Sequence, residues 1–388
     1  MPTIDAARER LHSVDALRGI AMVLMALDHT RSFLSNAQFA PVDLAHTTPA
    51  LFLTRWVTHF CAPAFFLLAG VGASLSLARG RSLAQVSRFF LTRGLWLVVL
   101  ELTVVSFGWD FTLDVTPWLA GVIWALGWSM VLMAALAWLP RGAIAAVGAA
   151  MIVLHNMTDA VTPAAFAGFG WLWRFLHFPD PYTGTLIRID YPIIPWAGVM
   201  AVGYAMGSLF RESPERRRKI LMGIGVSAVI GFVALRWLNS YGDPTPWSVQ
   251  TRDTYTLLSF LRVRKYPPSL AFLLMTLGPL LIALVWLEHS RGRVSSFFVT
   301  FGRVPLLFYV AHIYVVHLIA VVVAYGQGGT AGFLFTSDGP MAEHPSWYGV
   351  DLGWIYVGWV SIVIGLYPMC RAFANIKARR RDWWLSYL

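Results

Sequence analysis

Long apolar runs determine what this chain can fold into. A helix needs about 20 apolar residues to cross the hydrocarbon core of a bilayer, and runs of that kind are separated by charged or Pro- and Gly-rich breaks. Of the 388 residues, 57% are hydrophobic and only 13% are charged, a balance outside the range of soluble domains. The sequence therefore predicts an all-α, polytopic integral membrane protein with about ten transmembrane helices, at roughly 14–35, 51–78, 88–108, 118–139, 142–158, 191–210, 219–238, 268–287, 298–325 and 351–372.

The segments between these runs are short. The longest cover about 159–190, 239–266 and 326–350, and each is too small to form a separate domain. We therefore expect residues 1–388 to form a single transmembrane domain. The segment 159–190 leaves room for an eleventh helix.

The distribution of basic residues predicts the orientation. Most of the 30 Lys and Arg residues fall in segments on the same side as the N-terminus, and cytoplasmic loops collect such residues. Both termini are therefore expected to be cytoplasmic, in the cytoplasmic (inner) membrane of the cell. The net charge of +10 is explained by this bias and by attraction to anionic lipids. No nucleic-acid motif is present, so membrane lipids rather than nucleic acids are the expected partners.

Two further features limit the chemistry. The first apolar run contains Asp28 and His29, so we expect it to stay in the protein rather than to be cleaved as a signal peptide. The two cysteines, Cys61 and Cys370, lie in different runs near opposite faces of the membrane, which excludes a disulfide framework or a cysteine-based zinc site. The sequence leaves a homodimer open.

Ionisable residues inside the predicted spans point to a site. Such residues are costly in a bilayer and usually face a cavity or one another. Several fall at middle or outer levels of different helices, which predicts a water-accessible site displaced toward the outer side. They are His29, His59, Glu101, His155, Arg236 and His312.

The first helix connects this level with the cytoplasmic side. Arg18, Met22, Met25 and His29 share one helical face. The rise from Arg18 to His29 is about 16 Å, comparable with the length of a pantetheine arm. Arginines suit bidentate phosphate contacts, so a CoA phosphate held on the inner side could present its thioester near His29. The arginines expected to bind it are Arg18, Arg79, Arg81, Arg88 and Arg93, although for any single one an ordinary orientation charge is the favoured explanation.

The polar residues beside His29 have simpler interpretations. Asp28 lies about 100° away on the helix and can form an ion pair with Arg31. Arg55 shares a face with His59 on the second helix and is expected to brace helices. His46 lies in the preceding outer loop. A metal site built from His29, His46 and His59 lacks acidic or sulfur ligands at a recognisable spacing, so no metal is expected.

The motif FGRVPLLFYVAHIYVVHL (301–318) contains two histidines. His312 and His317 are five residues apart, which places them about 140° apart on a regular helix. We therefore expect only one of them to face the site, unless the helix is kinked.

Five motifs carry a family resemblance. RLHSVDALRGIAMVLMALDHTR, THFCAPAFFLLAG, VIWALGWSM, KYPPSLAFLLMTLGP and FGRVPLLFYVAHIYVVHL occur in this order along most of the chain. Together they resemble the heparan-α-glucosaminide N-acetyltransferase family and its bacterial branch. The opening helix is also similar to that of membrane acyltransferase type 3 proteins, whose Asp-x-x-Arg pattern and later histidine match Asp15, Arg18 and His29.

The resemblance implies an acyltransferase that moves an acetyl group from cytoplasmic acetyl-CoA to an acceptor on the outer side. The expected acceptor is a glycan amine or hydroxyl, or another envelope component. In the heparan enzymes an asparagine occupies the position of His29, and an outer-loop histidine, here nearest to His46, acts in the chemistry. Either His29 or His46 could therefore be the base, with Asp28, His59 and His312 as the remaining candidates at the site.

Two other functions fit the same residues. A transporter or flippase for a small solute or a lipid-linked glycan also uses intramembrane His, Arg and Glu, although the internal repeat typical of such proteins is not found. A sensor or assembly subunit without catalysis is the third alternative.

Overall fold

Helices dominate the structure. The computed structural model describes residues 4–78, 80–114, 117–178, 187–336, 344–380 and 382–387. Its α-helices are α1 (Ile4–Leu34), α2 (Pro49–Thr58), α3 (Cys61–Ala78), α4 (Leu83–Leu100), α5 (Ser106–Asp110), α6 (Val122–Leu136), α7 (Arg141–Leu154), α8 (Gly170–Leu176), α9 (Ile193–Met206), α10 (Pro214–Leu238), α11 (Asp253–Leu261), α12 (Leu270–Leu287), α13 (Arg293–Arg303), α14 (Pro305–Gly326) and α15 (Leu352–Arg379). The predicted all-α class is confirmed.

Short elements connect these helices. A π-helix, Glu101–Val105, joins α4 to α5. Strands β1 (Trp118–Ala120) and β2 (Ile187–Ile189) pair as a two-stranded sheet. Single 3-10 turns occupy His155–Thr158, Pro163–Phe169, Gly207–Arg211, Gly332–Leu334 and Trp383–Ser386.

Within the described residues, seven helical segments are long and apolar enough to cross a membrane. An eighth is added if the bent pair Arg141–Thr158 and Pro163–Leu176, which meet at 111°, forms one span. The chain is therefore a multi-pass membrane protein. The seven segments are Pro49–Leu77, Leu83–Asp110, Ile193–Arg211, Pro214–Leu238, Leu270–Leu287, Pro305–Gly326 and Leu352–Arg379.

The count of ten spans is not confirmed, and two predicted spans account for the difference. Both are helical, as α1 and α6. Helix α1 carries Asp15, Arg18, Asp28 and Arg31 and is too charged to qualify by composition, and α6 is too short. The room left for an eleventh helix contains α8, which belongs to the bent pair. The orientation of the termini stays a prediction.

The predicted span 298–325 is divided in two. Helix α13 ends at Arg303 and α14 begins at Pro305, with Val304 between them in a non-helical conformation. Proline has no N–H to donate and disfavours helical geometry in the preceding residue. The resulting break separates a short amphipathic helix from the membrane helix that carries His312.

The chain divides into two compact units, each built from segments that alternate along the sequence. The first unit comprises Met1–Val14, Ala62–Glu101 and Leu119–Ser290, and the second comprises Asp15–Cys61, Leu102–Trp118 and Arg291–Leu388. The prediction of a single domain over 1–388 stays a prediction.

Helices of the first unit pack closely at glycines. A Cβ on Gly94 of α4 would lie 2.6 Å from the carbonyl oxygen of Gly127 on α6, and the reverse distance is the same. Gly225 on α10 and Gly278 on α12 form an equivalent pair at 2.9 Å. Small residues let membrane helices approach to backbone contact. Larger side chains at these crossings would force the helices apart.

In the second unit, α1 is held along its length. Its Gly19 packs against the backbone of Phe298 on α13. At its far end, the Tyr348 hydroxyl donates to the carbonyl oxygen of Phe33 at 2.7 Å, and the Val350 N–H donates to that of Leu34 at 2.7 Å. These contacts anchor α1 at its middle and at its C-terminal end, so the position of His29 between them is fixed.

Candidate active site

Two histidines from distant parts of the chain meet in the second unit. The Nδ1 atom of His29 on α1 lies 2.7 Å from Nε2 of His312 on α14. The two rings are within 11° of parallel and their centroids are 4.9 Å apart, so they meet edge to edge through this hydrogen bond. His312 is buried, and His29 is partly exposed. The pair therefore has one protected member and one accessible member.

Hydrogen-bond chemistry assigns a direction to the pair. The Nδ1 atom of His312 lies 2.8 Å from the carbonyl oxygen of Phe308, which can only accept, so this nitrogen carries a proton. In a neutral imidazole, Nε2 of His312 is then an acceptor, and His29 donates to it through Nδ1. The lone pair of the His29 ring is consequently on Nε2. A histidine held in this state can accept a proton from a substrate.

Aromatic rings surround the imidazole of His29. The Trp109 ring, on α5, lies 4.8 Å from it at 71°, and the Tyr309 ring lies 6.1 Å away at 78°. Phe33, one turn along α1, stacks on Trp109 at 5.3 Å and 12°. Sequence reasoning did not select Trp109, and it noted Tyr309 without giving it a role. Tyr309 lies in a quoted motif three residues before His312, but Trp109 carries no signal that the sequence alone reveals.

The two histidines of α14 face different surroundings, as their spacing predicts. The ring of His317 stacks on Phe111 at 3.8 Å and 6°. Its Nδ1 atom donates to the carbonyl oxygen of Gly108 at 3.1 Å, and the side chain is buried. His312 alone therefore pairs with His29, and His317 packs against α5.

Asp28 acts as an ionic clamp. Its carboxylate accepts from Arg31 at 3.0 Å and from Arg55, which joins α1 to α2. These contacts confirm the expected pairing with Arg31 and the bracing role of Arg55. The clamp fixes the turn of α1 that carries His29, and a catalytic role of Asp28 stays a prediction.

His46 has a partner of its own. Its Nδ1 lies 2.6 Å from Oδ2 of Asp43 in the loop before α2, and 65% of its side chain is exposed. A carboxylate at Nδ1 leaves the lone pair on Nε2 of a neutral ring. His59 is different, because it is buried at the C-terminal end of α2. The described contacts thus give two oriented imidazoles, His29 and His46.

The family comparison agrees with the motifs. The family model of the heparan-alpha-glucosaminide N-acetyltransferase catalytic domain matches residues 10–242. The chain belongs to this family. No curated protein matches the chain. The family membership supports a membrane acetyltransferase.

The match to the N-acetyltransferase family covers only part of the site. It includes His29, His46, His59 and Trp109 but ends before α14. The family match therefore says nothing about His312. The structure shows that this residue contacts His29, from which it is 283 residues away in the sequence.

The arginines selected for CoA binding have different environments. Arg18 donates to Asp15 and to the carbonyl oxygen of Gly302, each at 3.1 Å, and so ties α1 to α13. Arg81 and Arg93 both lie over the ring of Phe89, at 5.5 and 5.8 Å. Arg88 is exposed on the same helix. Arg79 lies outside the described residues.

The remaining residues of the predicted polar layer have structural partners in the first unit. The buried Glu101 side chain packs against Gly121 before α6, where a Cβ on that glycine would lie 2.3 Å from its Oε1. Arg236 donates to several carbonyl oxygens, including those of Phe260 and Ser259 at 2.9 and 2.8 Å. These groups stabilise helix ends and loops. Within the part of the chain that the structure describes, no cluster of three or more His, Cys, Asp or Glu side chains could hold a metal.

Proposed function

We propose that this protein transfers the acetyl group of acetyl-CoA to an amine or hydroxyl acceptor, with His29 as the general base and His312 as its positioning residue. The observation that carries the proposal is the chain of hydrogen bonds from His29 Nδ1 to His312 Nε2 and from His312 Nδ1 to the Phe308 carbonyl. This chain orients one lone pair, on His29 Nε2, in a partly exposed position.

The reaction needs one proton acceptor and one proton donor. His29 Nε2 takes the proton of the acceptor O–H or N–H as the acceptor atom bonds to the thioester carbon. When the tetrahedral intermediate collapses, the C–S bond breaks and the CoA sulfur receives that proton from His29. The protonated ring in between is stabilised because its Nδ1–H bond to His312 becomes charge-assisted. His312 itself gives up no proton.

The donor enters from the cytoplasmic side in this proposal. Family members use acetyl-CoA in general. Arg81 before α4 and Arg88 and Arg93 within it supply three guanidinium groups, and a common ring, Phe89, supports two of them. Such groups bind phosphate through charge-assisted hydrogen bonds. Arg18 is the weakest of these candidates, because Asp15 already neutralises it.

The acceptor lies on the outer side in this proposal. We infer a glycan or another component of the cell envelope, modified by a protein in the cytoplasmic membrane. This mechanism requires no second copy of the chain, because both histidines of the pair belong to one chain.

His46 is the second candidate for the base. Its hydrogen bond to Asp43 orients the ring in the same sense as His312 orients His29. His46 is more exposed than His29. We therefore favour His29 as the base, because a base acts more strongly where water is excluded from the reacting groups. His46 is then available to bind the acceptor at the outer surface.

The experiment compares three histidine variants of the full-length protein in lipid nanodiscs. His29→Ala and His46→Ala are assayed for release of free CoA from acetyl-CoA, with glucosamine as the acceptor probe. His289→Ala, at an exposed histidine of the first unit, is the control. We expect His29→Ala to lower kcat by about 10²- to 10⁴-fold, and the other two variants to stay within a few-fold of the wild type.

Three results would contradict the proposal. Full activity of His29→Ala removes this residue from the chemistry. A large loss in His46→Ala alone assigns the base to the loop histidine. If the wild-type protein shows no saturable binding of acetyl-CoA but moves glucosamine across the bilayer, the protein is a transporter.

A further inference from the structure

The indole of Trp109 lies beside the proposed base. Its ring centroid lies 4.8 Å from that of His29, with the two rings at 71°. Its flat surface is partly covered, because Phe33 stacks on it at 5.3 Å and 12°. A sugar ring needs an open aromatic face on which to stack, whereas a short alkyl group needs only apolar contact. The covered indole therefore suits an acyl chain better than a glycan.

Helix α14, which carries His312, also holds the residues on either side of Trp109. The Nδ1 atom of His317 donates to the carbonyl oxygen of Gly108, beside Trp109, at 3.1 Å. On the other side of Trp109, Phe111 adopts a left-handed conformation, with φ at 44°, and stacks on His317 at 3.8 Å. A bulky residue is rare in this region of φ and persists only where its surroundings hold it.

Two further contacts lock the segment before Trp109. The hydroxyl of Tyr314 donates to the carbonyl oxygen of Val104 at 2.7 Å, at the end of the π-helix. The ring of Tyr314 also packs over Gly108, where a Cβ would lie 2.7 Å from the ring. Isolated π-helical turns are frequent at functional sites. The backbone on either side of Trp109 is therefore held by α14.

Simple distances place the acyl group within reach of this indole. An acceptor atom that gives its proton to His29 lies about 3 Å from Nε2. The thioester carbon lies a further 3–3.5 Å or so from that atom before the bond forms. The methyl group of an acetyl donor is one bond beyond the carbon, at a distance where a side chain that flanks the imidazole at 4.8 Å can contact it.

We propose that Trp109 is the wall that limits the donor to short acyl groups. The proposal rests on the assignment of His29 as the base in acetyl-CoA-dependent transfer. Trp109 contacts the methyl group of the acetyl donor and excludes longer chains by steric overlap. Phe33 stacks on the indole and α14 holds the backbone on either side of it, so we expect a sharp limit on chain length.

The test measures binding rather than turnover, so that it needs no acceptor. Dissociation constants are determined for CoA, acetyl-CoA, butyryl-CoA and hexanoyl-CoA with the full-length protein in nanodiscs. Trp109→Ala and the milder Trp109→Phe are compared with the wild type. Trp354→Ala, which removes a tryptophan that is 66% exposed on α15, is the matched control. Free CoA reports general damage, because it carries no acyl group.

The expected result is a change in the ratio of the dissociation constants for butyryl-CoA and acetyl-CoA. One extra methylene in a tight pocket changes discrimination by about tenfold or more. We expect the wild type and Trp354→Ala to prefer acetyl-CoA over butyryl-CoA by at least about tenfold. Trp109→Ala should remove this preference while the affinity for free CoA stays unchanged, and Trp109→Phe should give an intermediate ratio.

Each other outcome overturns the inference and identifies what failed. An unchanged ratio in a Trp109→Ala protein that still binds CoA shows that the wall is elsewhere. If Trp109→Ala does not fold, an unchanged ratio in Trp109→Phe leads to the same conclusion. A wild type that binds none of the acyl-CoAs rejects the proposed function itself, before the role of Trp109 arises.

Discussion

Two pairs of neighbouring histidines, one in each unit, show how partners separate a reactive imidazole from a structural one. In the first unit, the rings of His155 and His177 are 5.8 Å apart. Both nitrogens of His155 face backbone carbonyls, those of Ile152 at 2.9 Å and Pro268 at 2.8 Å. In the second unit, His29 and His312 bond to each other, and the chain of bonds ends on a backbone carbonyl only at His312.

The difference lies in where the lone pair is. The backbone occupies both ring nitrogens of His155, so this residue ties the end of α7 to the loop before α12 and has no nitrogen to offer a substrate. The ring of His29 donates through Nδ1 to His312, which places its lone pair on Nε2. Burial of a histidine within a membrane is therefore not a sign of catalysis, whereas a histidine whose one nitrogen is bonded to a second histidine is prepared for proton transfer.

The largest predicted effect in this comparison belongs to His312. His312→Ala removes the acceptor that sets the tautomer of His29. Loss of such a supporting contact typically lowers activity 10- to 100-fold, or about 1.4–2.7 kcal/mol. We expect kcat to fall with KM for acetyl-CoA unchanged. Steady-state kinetics with varied acetyl-CoA measure both values.

A conservative variant distinguishes positioning from packing. The side-chain oxygen of glutamine in His312→Gln can accept the Nδ1–H of His29, so this variant should recover much of the lost kcat. If His312→Gln is as inactive as His312→Ala while both proteins remain folded, the orienting hydrogen bond is not the role of His312.

The corresponding change in the first unit should affect stability instead. His155→Ala removes up to two hydrogen bonds, each worth about 0.5–1.5 kcal/mol. We expect a lower melting temperature in nanodiscs and an unchanged kcat at a temperature where the variant is folded. A large loss of turnover without any change in the melting temperature would mean that this histidine also takes part in the chemistry.

A smaller effect on stability is expected at His177, the second histidine of the pair in the first unit. Asp159 accepts from Nε2 of His177 at 3.3 Å. Asp159→Asn keeps an oxygen acceptor and removes only the charge, so the cost should be below about 1 kcal/mol, the usual range for a partly exposed ion pair. Thermal unfolding of Asp159→Asn beside Asp159→Ala checks this, since only the alanine variant loses the acceptor.

The smallest effect concerns a third histidine, outside the membrane-spanning segments. Burial lowers the pKa of His344 from its ordinary value of 6.5, and a hydrogen bond to the carbonyl oxygen of Ser35 opposes this only in part. Because the unfolded chain binds the proton more tightly, His344 contributes stability above pH 6.5 that is lost as pH falls below that value toward the lowered pKa.

Replacement of His344 isolates this contribution. His344→Gln should melt with less dependence on pH than the wild type between pH 6.5 and 5, while their difference above pH 7 stays constant. An unchanged pH dependence would show that His344 does not titrate on unfolding.

The sequence predicted the helices better than their pairing. Apolar length identified nearly every membrane helix, because the bilayer imposes that length on any span. It could not locate the break at Val304, which depends on how Pro305 is accommodated, and it treated α1 as an ordinary span although charged groups interrupt it. The orientation of the helices in the membrane stays a prediction.

For the candidate site, sequence reasoning selected the right types of residue without their partners. His29 and His312 were both selected, but their contact joins helices that are 283 residues apart, and helical periodicity carries no information about such contacts. The same limit explains why Glu101, His155 and Arg236 were grouped with them. Trp109 was missed because its role depends on a short helix that α14 holds in place.

The direction of the hydrogen bond between His29 and His312 decides whether His29 can act as a base, and ¹⁵N solid-state NMR measures that direction. The protein is labelled at histidine, reconstituted in lipid near neutral pH, and compared with His29→Gln to assign the signals of His29. We expect a protonated Nδ1 and an unprotonated Nε2 on His29, with the Nδ1 proton shared toward Nε2 of His312. A proton on Nε2 of His29 would refute the proposed mechanism, because that ring would then have no lone pair directed at a substrate.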